Sequence, residues 1–250
     1  MVRAMRGSWT IVLVLAGCSG VAERPAARPP PPPSPDAAGP AASPPDAPAP
    51  APATTAPPPP PPGWVNVAAV VPDAVLDLRY AGVHNLAGRA LYPVARCWLR
   101  AEVAPRLVAA AAQLRRAGRR LLLWDCYRPA SVQTTLWQLI GDPRYVARPR
   151  FDAAGRPISG SRHSRGAAID VGLVGADGGL VPLPTDHDEV GPRAHRAAAA
   201  AATTPAGAAA ELRLLDEALT AAGWRGLPTE WWHYDAPEAD RLPLADVPLR

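Results

Sequence analysis

Proline placement limits this chain more than any other feature. Nineteen of its 34 prolines fall in the 38 residues from Pro25 to Pro62. Proline fixes φ and lacks a backbone N–H, so neither a helix nor a ladder tolerates that density. The segment reads as an extended polyproline II or unstructured spacer, which leaves residues 63–250 to fold. That is one large domain, long enough to bury a real core. At ~3.1 Å per residue the spacer can reach on the order of 100 Å. The formal charge is +4, and every basic residue is an arginine. So small and scattered a balance excludes nucleic acid as the expected partner, because that needs a clustered basic face. With arginine so common, any single arginine counts as functional only from its context.

Upstream of the spacer, Met1–Gly17 carries Arg3 and Arg6 and then an apolar run, Trp9–Ala16. The run is too short to span a bilayer and fits a secretory signal. Leu15-Ala16-Gly17-Cys18 resembles the bacterial lipobox. The resemblance implies cleavage before Cys18, acylation of its sulfur and a membrane anchor through the N-terminal lipid. Stable anchoring takes more than one acyl chain. An ordinary signal peptide with an incidental cysteine is the simpler alternative. Ser19 is similar to a residue that favours outer-membrane sorting, so the expected location is the bacterial cell envelope, facing the periplasm. The expected organisation is a signal over 1–17, a lipidated cysteine and Pro/Ala-rich tether over 18–63, and a folded domain over 64–250. In an exported domain Cys97 and Cys126 are permitted to pair, or they stand as buried thiols.

Within the domain, alternation over Trp64–Tyr80 predicts one or two short strands, and Tyr80–Arg89 reads as a loop. Glu102–Ala117 has Val103, Leu107, Ala110 and Leu114 at helical spacing and ends at Gly118. Cys97 is expected to open this helical stretch. Arg120–Tyr127 reads as a buried strand stopped by Arg128-Pro129, and Cys126 lies at its end. Ala130–Ile140 reads as a helix closed by Gly141. Ile169–Val174 is a further strand, with Asp170 and Gly172 on one side. Ala194–Ala222 is Ala-rich and helical, broken at Thr204-Pro205-Ala206-Gly207, and Trp231–Tyr234 is strand-like. Strands and helices mix without a βαβ repeat, so the fold class is α+β.

Three segments carry chemistry. His163 sits in a small-residue loop seven residues before Asp170, and an imidazole and a carboxylate so placed suit a zinc ion. Glu230-Trp231-Trp232-His233 adds a second imidazole three residues after a carboxylate. Its tryptophans can desolvate Glu230 and raise its proton affinity toward use as a base. Trp124–Pro129 places the Arg128 guanidinium at a strand end. Each segment alone has a plain structural explanation: a turn, an ion pair, a core tryptophan. Together they supply the groups needed for zinc-assisted amide hydrolysis. His84, His187 and His195 are left as surface or substrate-side residues.

The pattern S-x-H-x-x-G-x-A-x-D over Ser161–Asp170, then E-x-W-H, with D-x-Y-R-P upstream, resembles the D-alanyl-D-alanine dipeptidase family. The similarity runs from about Val65 to Asp235 and takes in the upstream LRYAGVHNLAGRALY, with its substrate-side Tyr and Asn. It implies a single Hedgehog/D,D-peptidase-like α+β domain with a small, mostly antiparallel sheet and flanking helices. It implies one zinc ion held by His163, Asp170 and His233, Glu230 as general base, and Arg128 stabilising the oxyanion. Ser161 would help hold the substrate carboxylate, and Asp188 would bind the free ammonium of a dipeptide. The expected reaction is hydrolysis of D-Ala-D-Ala. Two alternatives stand beside it: a D,D-carboxypeptidase or L,D-endopeptidase acting on peptidoglycan stem peptides, and a non-catalytic wall-binding lipoprotein. The chain departs from the family at Leu183-Pro184 and His187, where a Met-Gly and a Phe are usual. The Ala194–Ala210 stretch is also simpler than its counterparts. These departures leave the zinc set intact and loosen the implied restriction to a dipeptide.

Overall fold

The computed structural model describes residues 58–250. The expected signal segment, Cys18 and the tether as far as residue 57 lie outside the described residues. No helix among the described residues is long and apolar enough to cross a membrane.

In chain order the elements begin with β1 (Trp64–Asn66), α1 (Val67–Val70), β2 (Val75–Leu76) and β3 (Trp98–Arg100). They continue with α2 (Ala104–Arg116), β4 (Arg119–Asp125), α3 (Ala130–Ile140), β5 (Arg150–Phe151) and β6 (Pro157–Ser159). The last five are β7 (Ala168–Gly175), α4 (Arg196–Ala200), α5 (Ala208–Ala221), β8 (Arg225–Leu227) and β9 (Glu230–Asp235). The class is α+β, built on a five-stranded sheet of order β2-β4-β7-β9-β8. The β2–β4 pair is parallel and the other three pairs are antiparallel.

The apolar stripes of α2 (Leu107, Ala111, Leu114) and α5 (Leu212, Leu215, Leu219) pack with Ile169, Val171 and Leu173 of β7 in one core. β4 and β7 are buried along almost their whole length because side chains cover them. Gly172 has a packing reason: a Cβ there would lie 2.6 Å from the Trp124 ring. A second cluster gathers Trp64, Tyr80, Tyr92, Trp98, Tyr127 and Leu136 beside the open end of the sheet.

Trp64–Tyr80 holds two short strands as expected, separated by the one-turn helix α1, which Asn66 caps by accepting the Ala68 N–H. One local expectation changes. Cys97 does not open a helix; it lies immediately before β3, and a disulfide joins it to Cys126 just past β4. The bond ties the small β1–β3 pair to the central sheet. The Ala-rich stretch is helical on both sides of its break, as α4 and α5.

Candidate active site

Strand register assembles most of the site. Asp125 of β4 pairs with Asp170 of β7, and Asp170 pairs with His233 of β9, so three carriers of polar groups form one row across the sheet. His163 comes from the short 3₁₀ turn His163–Arg165 before β7, which Gly166 closes with φ +67°. Hydrogen bonds from the Arg128 and Gly166 amides to the His163 carbonyl hold that turn against β4.

His163 Nε2, His233 Nδ1 and Asp170 Oδ1 converge, and all three residues are buried. The separations are 3.1 Å between the two nitrogens, 3.3 Å from His163 to Asp170 and 3.0 Å from His233 to Asp170. Donors about 2.0–2.1 Å from a tetrahedral ion lie roughly 3.3 Å apart, close to these values. The second nitrogen of each ring fixes its tautomer. His163 Nδ1 faces the Cys126 carbonyl at 2.7 Å, and His233 Nε2 faces Asp235 Oδ1 at 3.0 Å. Both partners only accept, so the outer nitrogens carry the protons and three lone pairs meet at one point. Only positive charge satisfies that point. Burial works against a charged His233, yet its hydrogen bonds to Asp170 and Asp235 push it up to about 10. Asp170 shows the same bias. Burial would raise it, but His163, His187 and His233 hold it well below the usual carboxylate range. The residues present fit a divalent metal ion.

A cavity of about 280 Å³ opens beside this cluster, and Arg128, Ser161, His163, Asp170, Asp188, Glu230 and His233 all line it. The Glu230 carboxylate lies 3.8 Å from His233 Nδ1 and accepts no hydrogen bond among the described residues. Burial raises its pKa, with the Asp170 and Asp188 charges adding to the effect and His233 opposing it. Arg128 is fixed by Asp125 Oδ2, at 3.0 Å from Nε and 2.6 Å from Nη2, and by Gln133 at 2.9 Å from Nη1. These bonds use three of its five N–H groups. The Ser161 hydroxyl accepts the His163 N–H at 3.2 Å. Asp188 is held by the Leu86 amide at 3.0 Å on Oδ2, and its Oδ1 has no hydrogen-bond partner among the described residues.

Several supporting residues escaped the sequence reading. His187, expected at the surface or toward substrate, is buried, with Nε2 3.2 Å from Asp170 Oδ2 and its ring packed against Trp124 and Trp232. Asp125 is fully buried and also accepts from Tyr92 Oη at 2.5 Å and its neighbour's amide, Cys126 N, at 2.8 Å. Arg196, from the stretch that looked simple, donates to the Trp231 and His233 carbonyls at 3.0 and 3.1 Å and to Asp216 at 2.6 Å. It lies over Gly226, where any Cβ would collide with the guanidinium. Of the upstream pair expected on the substrate side, Tyr80 lines the cavity beneath Arg128. Asn85 instead staples its own loop, its amide donating to the Arg79, Gly82 and Arg89 carbonyls. His84 and His195 are exposed.

Comparison with known proteins gives the arrangement its class, a metallopeptidase. A family model described as D-ala-D-ala dipeptidase matches residues 62–247. The D-alanyl-D-alanine dipeptidase of Escherichia coli K12 is 34% identical over 180 residues, covering 72% of this chain and 88% of the relative. That of Enterococcus faecium is 31% identical over 185 residues, covering 69% and 90%. That of Streptomyces coelicolor is 36% identical over 129 residues, covering 47% and 62%. The chain belongs to the D-Ala-D-Ala dipeptidase family.

Proposed function

We propose that this protein hydrolyses free D-alanyl-D-alanine to two molecules of D-alanine, with one zinc ion held by His163, Asp170 and His233. The observation that carries the reading is the meeting of three lone pairs in a cavity that also holds two under-bonded carboxylates, Glu230 and Asp188. When bound, zinc supplies a Lewis acid that polarises the scissile carbonyl and makes a water easier to deprotonate.

The chain's own groups do the rest. Glu230, its proton affinity raised by burial, takes a proton from the attacking water. As the C–N bond breaks, it returns that proton to the leaving amine. Arg128 has donors left over from Asp125 and Gln133 and offers them to the oxyanion. Because its partners already fix it, little reorganisation is needed at the moment of reaction. The Ser161 hydroxyl donates to the substrate carboxylate. Asp188 Oδ1 accepts from the free ammonium, so a blocked amine leaves a half-buried carboxylate unpaired and is rejected.

The same reading makes this an envelope enzyme, anchored through an acylated Cys18 and standing off the membrane on its proline-rich tether. The Cys97–Cys126 disulfide supports it, because such bonds persist in oxidising compartments. An enzyme so placed acts on dipeptide released from the cell wall.

The test is D-alanine release by the full chain with zinc, from free and from N-acetylated D-Ala-D-Ala, with a chelator control. The expected result is cleavage of the free dipeptide alone, abolished by chelation. Cleavage of the acetylated peptide would move the enzyme to the stem-peptide carboxypeptidases and remove the role given to Asp188.

A further inference from the structure

A second cavity, of about 560 Å³, adjoins the first and is the larger of the two. The two share a wall that includes Leu86, Tyr145, Asp188, Thr229 and Glu230. Arg128, Ser161, His163, Asp170 and His233 line the first cavity and not the second. The second space therefore opens at the carboxylate wall, away from both the donor cluster and Ser161. Apart from Glu189 and His195, the residues that line it alone are apolar: Val190, Gly191, Pro192, Ala194 and Trp232. Trp232 is kept in place by the buried His187 ring, which packs against it at 5.6 Å. Asp188, with φ +63° and its Oδ2 on the Leu86 amide, is a fixed post between the two spaces.

We propose that this second cavity is the side-chain pocket for the amino-terminal residue of the substrate. The enzyme would then take D,D-dipeptides whose first residue is large and apolar, not D-Ala-D-Ala alone. The proposal rests on the reading of Asp188 as the ammonium anchor. The first residue's Cα carries an ammonium bound at Asp188 and a carbonyl directed at Glu230 and the donor cluster. Its remaining heavy substituent leaves from between those two carboxylates, and the second cavity opens there. A methyl group leaves the exposed Val190 and Pro192 surfaces wet, whereas a leucine or phenylalanine side chain covers them. An amino-extended peptide is the competing occupant. It would carry an uncharged amide past Asp188 and leave that carboxylate without its partner.

The experiment compares D-Ala-D-Ala, D-Leu-D-Ala, D-Phe-D-Ala and N-acetyl-D-Leu-D-Ala as substrates of the full zinc-loaded chain. The same rates are measured for Val190→Trp, which places bulk at an exposed rim of the cavity. The expected kcat/KM for the leucine or phenylalanine dipeptide equals or exceeds that for D-Ala-D-Ala, with the gain in KM. Val190→Trp should shift the ratio at least about tenfold toward D-Ala-D-Ala. If D-Ala-D-Ala alone is cleaved, the proposal fails and the dipeptidase reading stands. If the acetylated peptide is cleaved as well as the free one, the pocket holds an extended chain and the proposal fails. If no dipeptide is cleaved, both readings fail together. Should Val190→Trp not fold, as judged by circular dichroism, the wild-type comparison decides alone.

Discussion

The donor row and the carboxylate wall of the cavity are held in different ways. Asp170 and His233 face each other across β7 and β9, inside a sheet buried on both sides, and Asp125 extends the row on β4. Every outer atom of the row has a named partner: the Cys126 carbonyl, Asp235, His187, Tyr92. Asp188 stands instead on a loop and is tied by one amide of another loop. The chain that follows it, Val190–Arg193, is mostly exposed. Of the proposed ligands and base, Asp170, His233 and Glu230 sit on strands and His163 on a turn tied to the Arg128 amide, while the proposed selecting residues Ser161 and Asp188 sit on loops. That division puts most of the proposed chemistry on rigid elements and the proposed selection on segments that vary more readily.

The strongest way to break the comparison is at Glu230, which lies on the row's own strand but faces the cavity without a hydrogen-bond partner. Glu230→Gln keeps the shape and removes the base. Turnover should fall on the order of 10²–10⁴-fold while zinc content by atomic absorption stays at one per chain. A loss of metal would make Glu230 a ligand, and the division between the donor row and the base would collapse. Next in size is Arg128→Ala, expected to lower kcat about 10²–10³-fold with metal content held. Because Asp125 would lose its main partner in the interior, that variant should also be less stable to urea, by roughly 3–5 kcal/mol. A change in KM alone would place Arg128 among the selecting groups.

Arg196 sharpens the comparison, since it touches neither cavity and holds β9 from behind through the Trp231 and His233 carbonyls. Arg196→Ala should weaken zinc binding about 10–100-fold in competition with a chromophoric chelator, as removal of outer partners commonly does. Arg196→Lys, which keeps the charge without the fork, should recover only part of it. Zinc affinity equal to wild type in both variants would reduce Arg196 to a structural tie.

Much of this division was legible in the sequence. Asp170, Glu230 and His233 stand at strand-like spacings among apolar neighbours, and His163 precedes them in a small-residue loop, so their chemistry is visible locally. Helices α2, α3 and α5 were readable from apolar periodicity and the glycines that end them. What escaped depends on contacts between distant segments. His187 lies in a run of acidic residues and looks solvated, yet Trp124 and Trp232 bury it. Asp125 reads as an interior residue of the strand Arg120–Tyr127; its pair with Arg128 three residues on is local, but only the pairing of β4 with β7 sets it beside Asp170. Arg196 stands among alanines, with no pattern to mark it, because its partners are backbone carbonyls thirty or more residues away and the carboxylate of Asp216 on another helix. A strand of two residues such as β2 is too short to show an alternation, and α1 is too short to show a period.

The smallest expected effect tests the loop side directly. Asp188→Asn keeps the hydrogen bond from the Leu86 amide and removes the charge that, in the proposed reading, faces the ammonium. The carboxylate is half-buried and its substrate partner partly screened, so kcat/KM on free D-Ala-D-Ala should fall only about tenfold. The fall should appear mainly in KM, since the ammonium is bound equally before and during bond cleavage. The same change removes the penalty against a blocked amine, so N-acetyl-D-Ala-D-Ala should be cleaved better relative to the free dipeptide than by wild type. If kcat collapses instead, or zinc is lost, the loop is part of the donor machinery. Asp188 would then reach the metal site through His187, whose Nδ1 lies 3.5 Å from its Oδ2. In that case the strand and loop halves of the cavity act as one unit, and selection and chemistry cannot be changed separately.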